Sequence, residues 1–338
     1  MAETSDQKSD HAARLAIIGD VMLGRLVSDE IRNRNPDSFW GDVLPIMRRA
    51  DAVVANLECA ISDRGIPWTA TPKVFHFRAI PAAIDVLKAG NVRYVSLANN
   101  HILDFGEDAL GDTLRLLDGA RIAHAGVGQR PAEACSPARF TVNGLSISAF
   151  SIVDHEAPFA AKADQSGTCF IDLRAERRIW PDAAAIRKER ASGADVVLVS
   201  AHLGPNMVQY PGKELQDFKK RLLVSGVDII HGHSAHVFQG IQAMGRQIIL
   251  HDTGDFLDDY ATDSRMRNDW SFLFLLDVDA TGVRHLLMRP VKLGFASVNL
   301  AVGDEFTAIC DRMLDMSAAF GTELQRCDEG LELYLARK

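Results

Sequence analysis

Short hydrophobic runs recur along the chain, and most of them stop at a glycine or a polar side chain. Seven of these runs predict strands, at 15–20, 52–58, 94–98, 146–152, 195–201, 227–231 and 247–252. Continuous apolar runs of this length are typical of strands that are covered on both faces of a sheet. The runs 271–278 and 285–291 predict a hairpin, and the partly alternating run 73–78 predicts an edge strand or an extended loop.

Amphipathic segments between the strands predict helices. Predicted helices cover 26–34, 43–50, 81–90, 106–119, 180–192, 213–225, 305–320 and 323–335. Because strands and helices alternate, the pattern favours an α/β sandwich with a largely buried sheet. Residues 154–180 are irregular and polar, and they predict a lid or an insertion. We expect a disordered tail at 1–13, a sandwich domain at 14–300 and a helical extension at 301–338.

Polar residues that can hold a metal ion follow most of the predicted strands. They are Asp20, Glu58, Asn100, His101, His202, His231, His233, His236, His251, Asp252 and Asp255, and they include six of the 11 histidines. In α/β sheets, ligands bind beyond the carboxyl ends of the strands, so these side chains are expected at one rim. Carboxylate, amide and imidazole groups together suit Mn, Fe, Zn or Co, and the set is large enough for one or two divalent ions.

A two-ion site favours hydrolysis over redox chemistry. Two ions a few ångströms apart lower the pKa of a shared water and neutralise charge that develops on a phosphoryl or carbonyl oxygen. Each ligand also has a plainer interpretation when it is taken alone. Asp20 would cap the next helix, Glu58 would be a surface carboxylate, and His202 would be a core histidine.

Composition and charge narrow the classes of function. The chain of 338 residues has 47% hydrophobic and 24% charged residues, which is ordinary for a globular protein. A net charge of −8 argues against a general nucleic-acid binder, which needs a basic face. No segment resembles a signal peptide or is apolar enough to span a bilayer, so we expect a cytoplasmic protein without membrane contact. Five scattered cysteines without a CxxC pair predict inert thiols in a reducing compartment.

Several motifs between residues 14 and 260 resemble those of one family, in the same order. They are Gly19-Asp-Val-Met-Leu-Gly-Arg25, Asn56-Leu-Glu58, Ser96-Leu-Ala-Asn-Asn-His101 with Asp104 and Gly106, His202-Leu-Gly204, Gly232-His-Ser-Ala-His236 and Thr253-Gly-Asp-Phe256. The chain resembles the CapA family, which is named for poly-γ-glutamate capsule synthesis and belongs to the calcineurin-like metallophosphoesterase superfamily. The resemblance implies a four-layered α/β/β/α sandwich with a two-metal site.

The resemblance also implies which side chains hold the two ions. The first ion would be bound by Asp20 and His236, and Glu58 would bridge to the second ion. The remaining ligands of the second ion would be Asn100, His202 and His233. The chain departs from the superfamily at Met22, where the usual Asp-x-His motif has a histidine, so one ligand of the first ion is missing. The histidine pair is also spaced Gly-His-x-x-His, whereas the superfamily has Gly-His-x-His.

Catalysis and substrate binding would fall to neighbouring residues. His101 resembles the catalytic histidine that contacts the phosphoryl group and protonates the leaving oxygen, and Asp104 would orient it. Arg25, His76 and Arg78 are candidates for gripping an anionic substrate. A solvated edge is the alternative interpretation for the last two, which share a face. The sequence leaves open the roles of His231, His251 and Asp255.

These observations favour a metal-dependent hydrolase, in particular a phosphoesterase that acts on a small anionic substrate through metal-activated water. Two alternatives stay open. One is a non-catalytic accessory protein that binds poly-γ-glutamate or its synthetic machinery, and the missing first-metal histidine motivates it. The other is a hydrolase of a γ-glutamyl amide. The pattern identifies neither the substrate, nor the metal, nor the oligomeric state.

Overall fold

The computed structural model describes residues 11–173 and 180–336. Its strands, numbered in chain order, are β1 (Ala12–Val21), β2 (Ala52–Leu57), β3 (Ala60–Ile61), β4 (Arg78–Ala79), β5 (Val92–Ser96), β6 (Ala123–Ala125), β7 (Val127–Gly128), β8 (Ala138–Val142), β9 (Leu145–Val153), β10 (Gly167–Thr168), β11 (Val196–His202), β12 (Ile229–His233), β13 (Ile241–Met244), β14 (Gln247–Leu250), β15 (Asp255–Leu257), β16 (Trp270–Asp279), β17 (Gly282–Gly294), β18 (Ser297–Leu300), β19 (Gln325–Cys327) and β20 (Gly330–Tyr334).

The helices connect these strands on the outside of the molecule. They are α1 (Arg25–Ile31), α2 (Leu44–Arg49), α3 (Ala83–Ala89), α4 (Gly106–Ala120), α5 (Pro131–Ala134), α6 (Ala183–Ala191), α7 (Lys213–Val224) and α8 (Gly303–Ala318), with 3₁₀ turns at Pro36–Val43 and Ala157–Phe159. All seven predicted apolar runs overlap a strand, and the predicted hairpin is formed by β16 and β17. Of the predicted extended run 73–78, only its last residue belongs to a strand, β4.

Two sheets carry the fold. The larger sheet has the strand order β19-β20-β17-β16-β1-β2-β5-β6, with β15 beside β1 and β18 beside β17. The smaller sheet has the order β13-β14-β12-β11-β9-β8. β1, β2 and β5 run parallel, as do β9, β11, β12 and β14. Parallel strands end at the same edge of a sheet, so each sheet has a rim where several carboxyl ends meet.

The two sheets pack face to face, and helices cover their outer faces. Leu15 and Ile17 of β1 share a buried cluster with Leu198 of β11 and Ile229 of β12, which is the core between the sheets. Complete burial of a leucine or isoleucine side chain contributes about 1.5–3 kcal/mol. The alternate residues of β2 face α1–α4, and those of β11 face α6 and α7. The protein is therefore an α/β/β/α sandwich, which confirms the predicted four layers.

Glycine allows the close approach that forms the functional rim. A Cβ atom at Gly19 would lie 1.7 Å from the carbonyl oxygen of Gly254, so no larger residue fits at this position. Gly254 itself has a φ of +69°, which favours glycine. Because these backbones touch, β15 pairs in parallel with the end of β1, and Asp20 lies in register with Asp255.

The C-terminal segment differs from its prediction. A helix predicted at 323–335 is wrong, since Gln325–Cys327 and Gly330–Tyr334 are the two strands of a hairpin. β20 pairs with β17 and extends the larger sheet. The segment predicted as a helical extension, 301–338, therefore contributes one helix and a hairpin. Most of the predicted tail lies outside the described residues, and its last two residues, Ala12 and Ala13, already belong to β1.

The cysteines also differ from their prediction. Cys135 and Cys169 form a disulfide across 34 residues, so these two are not the inert thiols expected from the sequence. Cys59, Cys310 and Cys327 are free. Because disulfides persist mainly in oxidising compartments, the cysteines no longer support a reducing one. Within the described residues, no helix combines the length and the apolar character needed to cross a membrane.

Candidate metal centre

Strand ends from both sheets bring the predicted ligands together. Asp20 lies at the end of β1, and Glu58 follows β2. His202 and His233 are the last residues of β11 and β12, and they are paired across these two strands. His236 follows in the next loop, where a left-handed φ of +58° turns the chain back towards the sheet. Residues that are distant in sequence therefore converge at one rim of the sandwich.

Two groups of side chains have the geometry of metal sites. The first group is Asp20, Glu58, His236 and Asp255, and the second is Asp20, His202 and His233. Within each group, one ligand atom from every residue lies within 4.8 Å of the others. Asp20 belongs to both groups, so its carboxylate occupies the position between them. Glu58 Oε1 also lies 3.9 Å from His202 Nε2, which places a second carboxylate near that boundary.

Asp255 is a ligand candidate whose role the sequence left open. Its Oδ1 accepts a hydrogen bond from His236 Nδ1 at 2.8 Å, and it completes a first group of four side chains. Met22 occupies the position where the resemblance predicted the histidine of an Asp-x-His motif, and its sulfur lies 3.1 Å from the backbone nitrogen of Gly24. Asp255 therefore supplies a carboxylate to the group in which the sequence lacks a histidine.

Several buried ligand atoms at the rim lack a hydrogen-bond partner among the described residues. These atoms are Asp20 Oδ2, Glu58 Oε1, Asn100 Oδ1, His233 Nε2 and Asp255 Oδ2. A buried polar atom without a partner costs free energy, about 1–3 kcal/mol and more for a charged group. Carboxylate, amide and imidazole atoms left free in this way are the donor set that suits a transition-metal ion, so the residues present fit one.

The carboxylates of this cluster are destabilised as anions. Burial raises the pKa of Asp20, Glu58 and Asp255 well above the usual range, and neighbouring carboxylates raise it further. Asn56 counteracts this at Asp20 by donating a hydrogen bond to Oδ1 at 2.8 Å. Tyr260 does the same for Glu58 Oε2 at 3.4 Å. A cation at the centre of the cluster would remove the remaining repulsion.

The histidines of the two groups differ in charge. Burial lowers the pKa of His202 and His233 well below the usual value, so both imidazoles are neutral and able to bind a metal. Their Nδ1 atoms lie 2.9 Å apart. Burial also acts to lower the pKa of His236, but the carboxylates of Glu58 and Asp20 outweigh it and raise the pKa.

His101 lies in a separate hydrogen-bonded unit beside the cluster. Its Nδ1 is 2.6 Å from Asp104 Oδ2, and its ring stacks on Phe77 at 3.8 Å between centroids. Burial lowers the pKa of His101, and the positive charge of Lys73 lowers it further. Burial raises the pKa of Asp104 to about 7, although Lys73, 3.3 Å away, opposes this shift.

The predicted substrate residues divide into two kinds. Arg25 lies against Phe75 and Phe77, pairs with Asp259 at 3.4 Å, and acts electrostatically on His101. His76 and Arg78 use their polar atoms to hold a loop. His76 Nε2 lies 2.8 Å from the carbonyl oxygen of Trp68. Arg78 donates hydrogen bonds to the carbonyl oxygens of residues 64 and 65.

Two of the histidines that the sequence left open lie outside both ligand groups. His231 Nε2 donates to the carbonyl oxygen of Ile18 at 3.0 Å, and its Nδ1 lies 3.1 Å from Ser200 Oγ, so this buried ring links the two sheets beneath the site. His251 packs against Phe320, with 4.3 Å between ring centroids.

An amide chain that the sequence gave little sign of supports the rim from below. The side chain of Asn99 donates to Asn56 Oδ1 at 3.1 Å, and Asn56 in turn donates to Asp20. Asn99 Oδ1 also accepts from the backbone nitrogen of His101 at 3.0 Å. One buried asparagine therefore fixes both a metal-ligand candidate and the His101 turn. The only sequence signal for the role of Asn99 was the Asn-Asn pair directly before His101.

The part of the chain that forms this rim is similar to a known protein family. Residues 14–260 match the bacterial capsule synthesis protein PGA_cap family. The chain belongs to this family. All the residues of the two ligand groups fall within the matched PGA_cap region, which confirms the family that the sequence motifs resembled.

Two similar proteins have names that refer to polymer synthesis. PGA biosynthesis protein CapA of Bacillus subtilis (strain 168) is 28% identical over 285 residues, covering 83% of this chain and 73% of the relative. A probable polyglutamine synthesis accessory protein of Mycobacterium tuberculosis is 33% identical over 267 residues, covering 75% of this chain and 70% of the relative.

Solved structures align only loosely with the whole chain. The sulfate thiohydrolase SoxB of Thermus thermophilus aligns with a TM-score of 0.45 and 11% identity, covering 95% of this chain and 63% of that one. The 5′-nucleotidase of Candida albicans aligns with a TM-score of 0.43 and 8% identity, covering 91% and 54%. At these scores the alignments carry no functional argument.

Proposed function

We propose that this PGA_cap-family protein is a metal-dependent hydrolase that cleaves a phosphoester of a small anionic substrate. One observation carries the proposal: three buried carboxylates and three histidines, from the ends of β1, β2, β11 and β12, the loop after β12 and the start of β15, form two adjoining ligand groups that share Asp20. Burial and mutual repulsion disfavour the anionic forms of these carboxylates, and a bound cation would stabilise those forms. Manganese is the ion with which we would test the site first.

The first ion would be held by Asp20, Glu58, His236 and Asp255, and the second by His202 and His233 with Asp20 between the two. Asn100, whose Oδ1 is buried without a partner among the described residues, would join the second set. Divalent ions at such a site supply Lewis acidity and lower the pKa of the attacking water.

The chain's own acid–base group would be His101. Hydrogen bonding of Nδ1 to Asp104 leaves Nε2 as the ring nitrogen available to a substrate. Stacking on Phe77 fixes the plane of the ring, and Lys73 holds Asp104 in place. In this arrangement His101 would contact the phosphoryl oxygen and pass a proton to the leaving oxygen, while Asp104 keeps the tautomer and orientation. Arg25 would attract the anion, and His76 and Arg78 would shape the loop beside it.

A second candidate function is a non-catalytic role in poly-γ-glutamate synthesis, with a structural metal or none. The name of the mycobacterial relative, an accessory protein, favours it. Hydrolysis of a γ-glutamyl amide at the same metals is the third candidate, and it differs from the first only in the bond cleaved. The cellular compartment also bears on the choice of substrate. The predicted cytoplasmic location suits a soluble metabolite as the substrate, whereas the Cys135–Cys169 disulfide favours an oxidising compartment.

An assay of manganese-loaded protein separates the candidates. We expect turnover of at least one substrate in a panel of phosphomonoesters and phosphodiesters, and loss of that turnover in His101→Ala and Asn100→Ala. His285→Ala, at the other end of the sandwich, serves as the matched control and should keep full activity. Unchanged turnover in both site variants would contradict the assignment. Cleavage only of γ-glutamyl amides favours the third candidate, and less than one bound ion per chain without any turnover favours the accessory role.

A further inference from the structure

The segment that follows β9 lies beside the metal centre, between the strand end of His202 and the turn of His101. Asp154, His155 and Glu156 lie in the region where the sequence shows no periodicity. The backbone nitrogen of Asp154 donates to the carbonyl oxygen of His202, at 3.3 Å. Its carboxylate accepts from the backbone nitrogen of Gly204 at 3.2 Å. One end of the segment is therefore attached to the strand end that supplies His202.

The other end of the segment is attached to the His101 side of the centre. Glu156 Oε1 lies 3.2 Å from Lys73 Nζ. Lys73 also donates to the carbonyl oxygen of Asn100 at 2.6 Å and lies 3.3 Å from Asp104. Glu156 adopts a left-handed φ of +53°, which is uncommon for a residue other than glycine and is kept where the surroundings require it.

His155 is held between these two attachments and faces the ligands. Its ring meets the His202 ring edge to face, with 5.7 Å between centroids. Its Nδ1 lies 2.5 Å from Asp154 Oδ1. The side chain is 28% exposed, whereas that of His202 is 2% exposed. His155 therefore stands at the boundary between the buried ligands and solvent, where a substrate would enter.

The arrangement repeats the His101–Asp104 pair from the opposite wall. In both pairs a carboxylate oxygen lies within 2.6 Å of a histidine Nδ1, but only His101 and Asp104 form a hydrogen bond, whereas His155 Nδ1 contacts Asp154 Oδ1 without hydrogen-bond geometry. One pair comes from the turn after β5 of the larger sheet, and the other comes from the end of β9 of the smaller sheet. A phosphate-sized anion beside the ligand groups would have the His101 imidazole on one side and the His155 imidazole on the other.

We propose that Asp154-His155-Glu156 is a substrate clamp in which the His155 ring donates a hydrogen bond to the anionic oxygens of the substrate. Asp154 packs against the ring at Nδ1, and the Glu156–Lys73 ion pair holds the clamp against the His101 turn. His155 is a binding residue in this account, and Asp154 and Glu156 are positioning residues. The inference rests on the proposed function, because the anion is the phosphoryl group that the metals and His101 would engage.

Inorganic phosphate is the probe that tests the clamp. The variants are His155→Ala, His155→Gln and Glu156→Gln in the manganese-loaded chain, and His124→Ala, which lies on β6 and pairs with Asp118, is the control. Manganese per chain is measured first, and the phosphate Kd is then measured by titration calorimetry. A hydrogen bond to a charged group is worth about a tenfold change in Kd or more.

The expected result is that His155→Ala keeps its manganese and weakens phosphate binding about tenfold or more. His155→Gln, which retains a donor, should recover part of the affinity, Glu156→Gln should show a smaller loss, and His124→Ala should match the wild type. On a phosphoester that turns over, the same loss should appear in KM more than in kcat.

Three results overturn the clamp. Unchanged phosphate binding by manganese-loaded His155→Ala and His155→Gln would remove its ligand role. Loss of manganese in both variants would make His155 a support for His202. A wild-type chain that binds manganese but no phosphate would show that the anion site is absent. A wild-type chain that binds no manganese contradicts the proposed function itself, and the clamp falls with it.

Discussion

Arg14 and Asp20 lie about 20 Å apart along β1, near its two ends, and their charges are in opposite environments. Near the amino end, Arg14 forms two hydrogen bonds with Asp277, at 2.7 and 2.9 Å, and the two side chains are 47% and 34% exposed. At the carboxyl end, Asp20 is buried beside Glu58 and Asp255, with one oxygen lacking a partner among the described residues.

The Asp277 carboxylate is paired with a cationic side chain of the protein, whereas the Asp20 carboxylate lies among other carboxylates. Exposed ion pairs such as Arg14–Asp277 contribute about 0–1 kcal/mol, and water takes the place of either partner. A buried carboxylate cluster has no such substitute, so its members either bind protons, as their raised pKa values favour, or need a compensating charge. The carboxyl-end rim therefore has the properties of a site that is completed from outside the chain, and the amino end does not.

The largest expected effect comes from matched substitutions at the two ends. Asp20→Asn removes the carboxylate that both ligand groups share, so we expect loss of manganese binding and of hydrolysis. Asp277→Asn makes the same chemical change at the amino end and should leave both properties intact. Elemental analysis of the purified variants measures the bound metal. Equal metal content in the two variants would erase the proposed difference between the ends.

Substitution of histidine gives the next largest effect. His101→Ala should retain manganese, because His101 belongs to neither ligand group, and should lower kcat about 100-fold or more through loss of proton transfer. His285→Ala is the counterpart at the amino end, where the ring lies between Asp277 and Glu332, and should leave kcat unchanged. A normal kcat for His101→Ala would exclude it from the chemistry.

The pH dependence should reflect the His101–Asp104 pair. The pKa of Asp104 is raised to about 7 and that of His101 is lowered, so the pair loses its proton as the pH rises through about 7. If that proton goes to the leaving group, kcat should fall above this pH, and Asp104→Asn should remove that limb of the profile. Steady-state rates between pH 5.5 and 9 (a range set about the pKa) test this, and a flat wild-type profile would contradict it.

The same raised pKa has a consequence for stability with a definite sign. Because the folded state binds the Asp104 proton more tightly than the unfolded state, this group's stabilising contribution is complete below its unfolded pKa. It is lost as the pH rises through about 7. Compared with wild type, Asp104→Asn should therefore lose less stability between pH 5 and 8 (a window that spans the shift). The free energy of unfolding of each protein is measured by urea denaturation at several pH values in this window. The same pH dependence in both proteins would count against the assigned pKa.

The smallest expected effect tests the amino end alone. Arg14→Ala removes an exposed pair and should change the free energy of unfolding by less than about 1 kcal/mol. Urea denaturation at low and high salt measures this change, which should shrink further at high salt because the charges are screened. A decrease of several kcal/mol in the free energy of unfolding would mean that the Arg14–Asp277 pair does not behave as an exposed ion pair.

Sequence patterns predicted the strands and the rim because both depend on local signals. Strands covered on two faces produce continuous apolar runs, and the parallel ones end at one edge, so Asp20, Glu58, His202 and His233 could be placed together before the fold was known. Asp255 was also expected at the rim, but its role stayed open because it lies at the start of β15 and does not end a predicted strand. It reaches the site through pairing with β1, a contact between distant parts of the chain.

The remaining errors share that cause. The C-terminal strands 325–327 and 330–334 are stabilised by pairing with β17, which outweighs the helical tendency of the segment. β20 begins at Gly330, directly after the turn, with a φ of +141°, a local signal that the helix prediction overlooked. The Cys135–Cys169 pair cannot be inferred from spacing, since 34 residues separate the two cysteines. His155 lay in a segment without periodicity, and only the attachments at its two ends reveal its place.

Anomalous diffraction from crystals of the manganese-loaded protein tests the central claim most directly. The account predicts an anomalous peak among the carboxylates of Asp20, Glu58 and Asp255, and a second one, if two ions bind, on the His202 and His233 side of Asp20. A protein that binds no ion at this rim, with those carboxylates unchanged in position, would contradict the account.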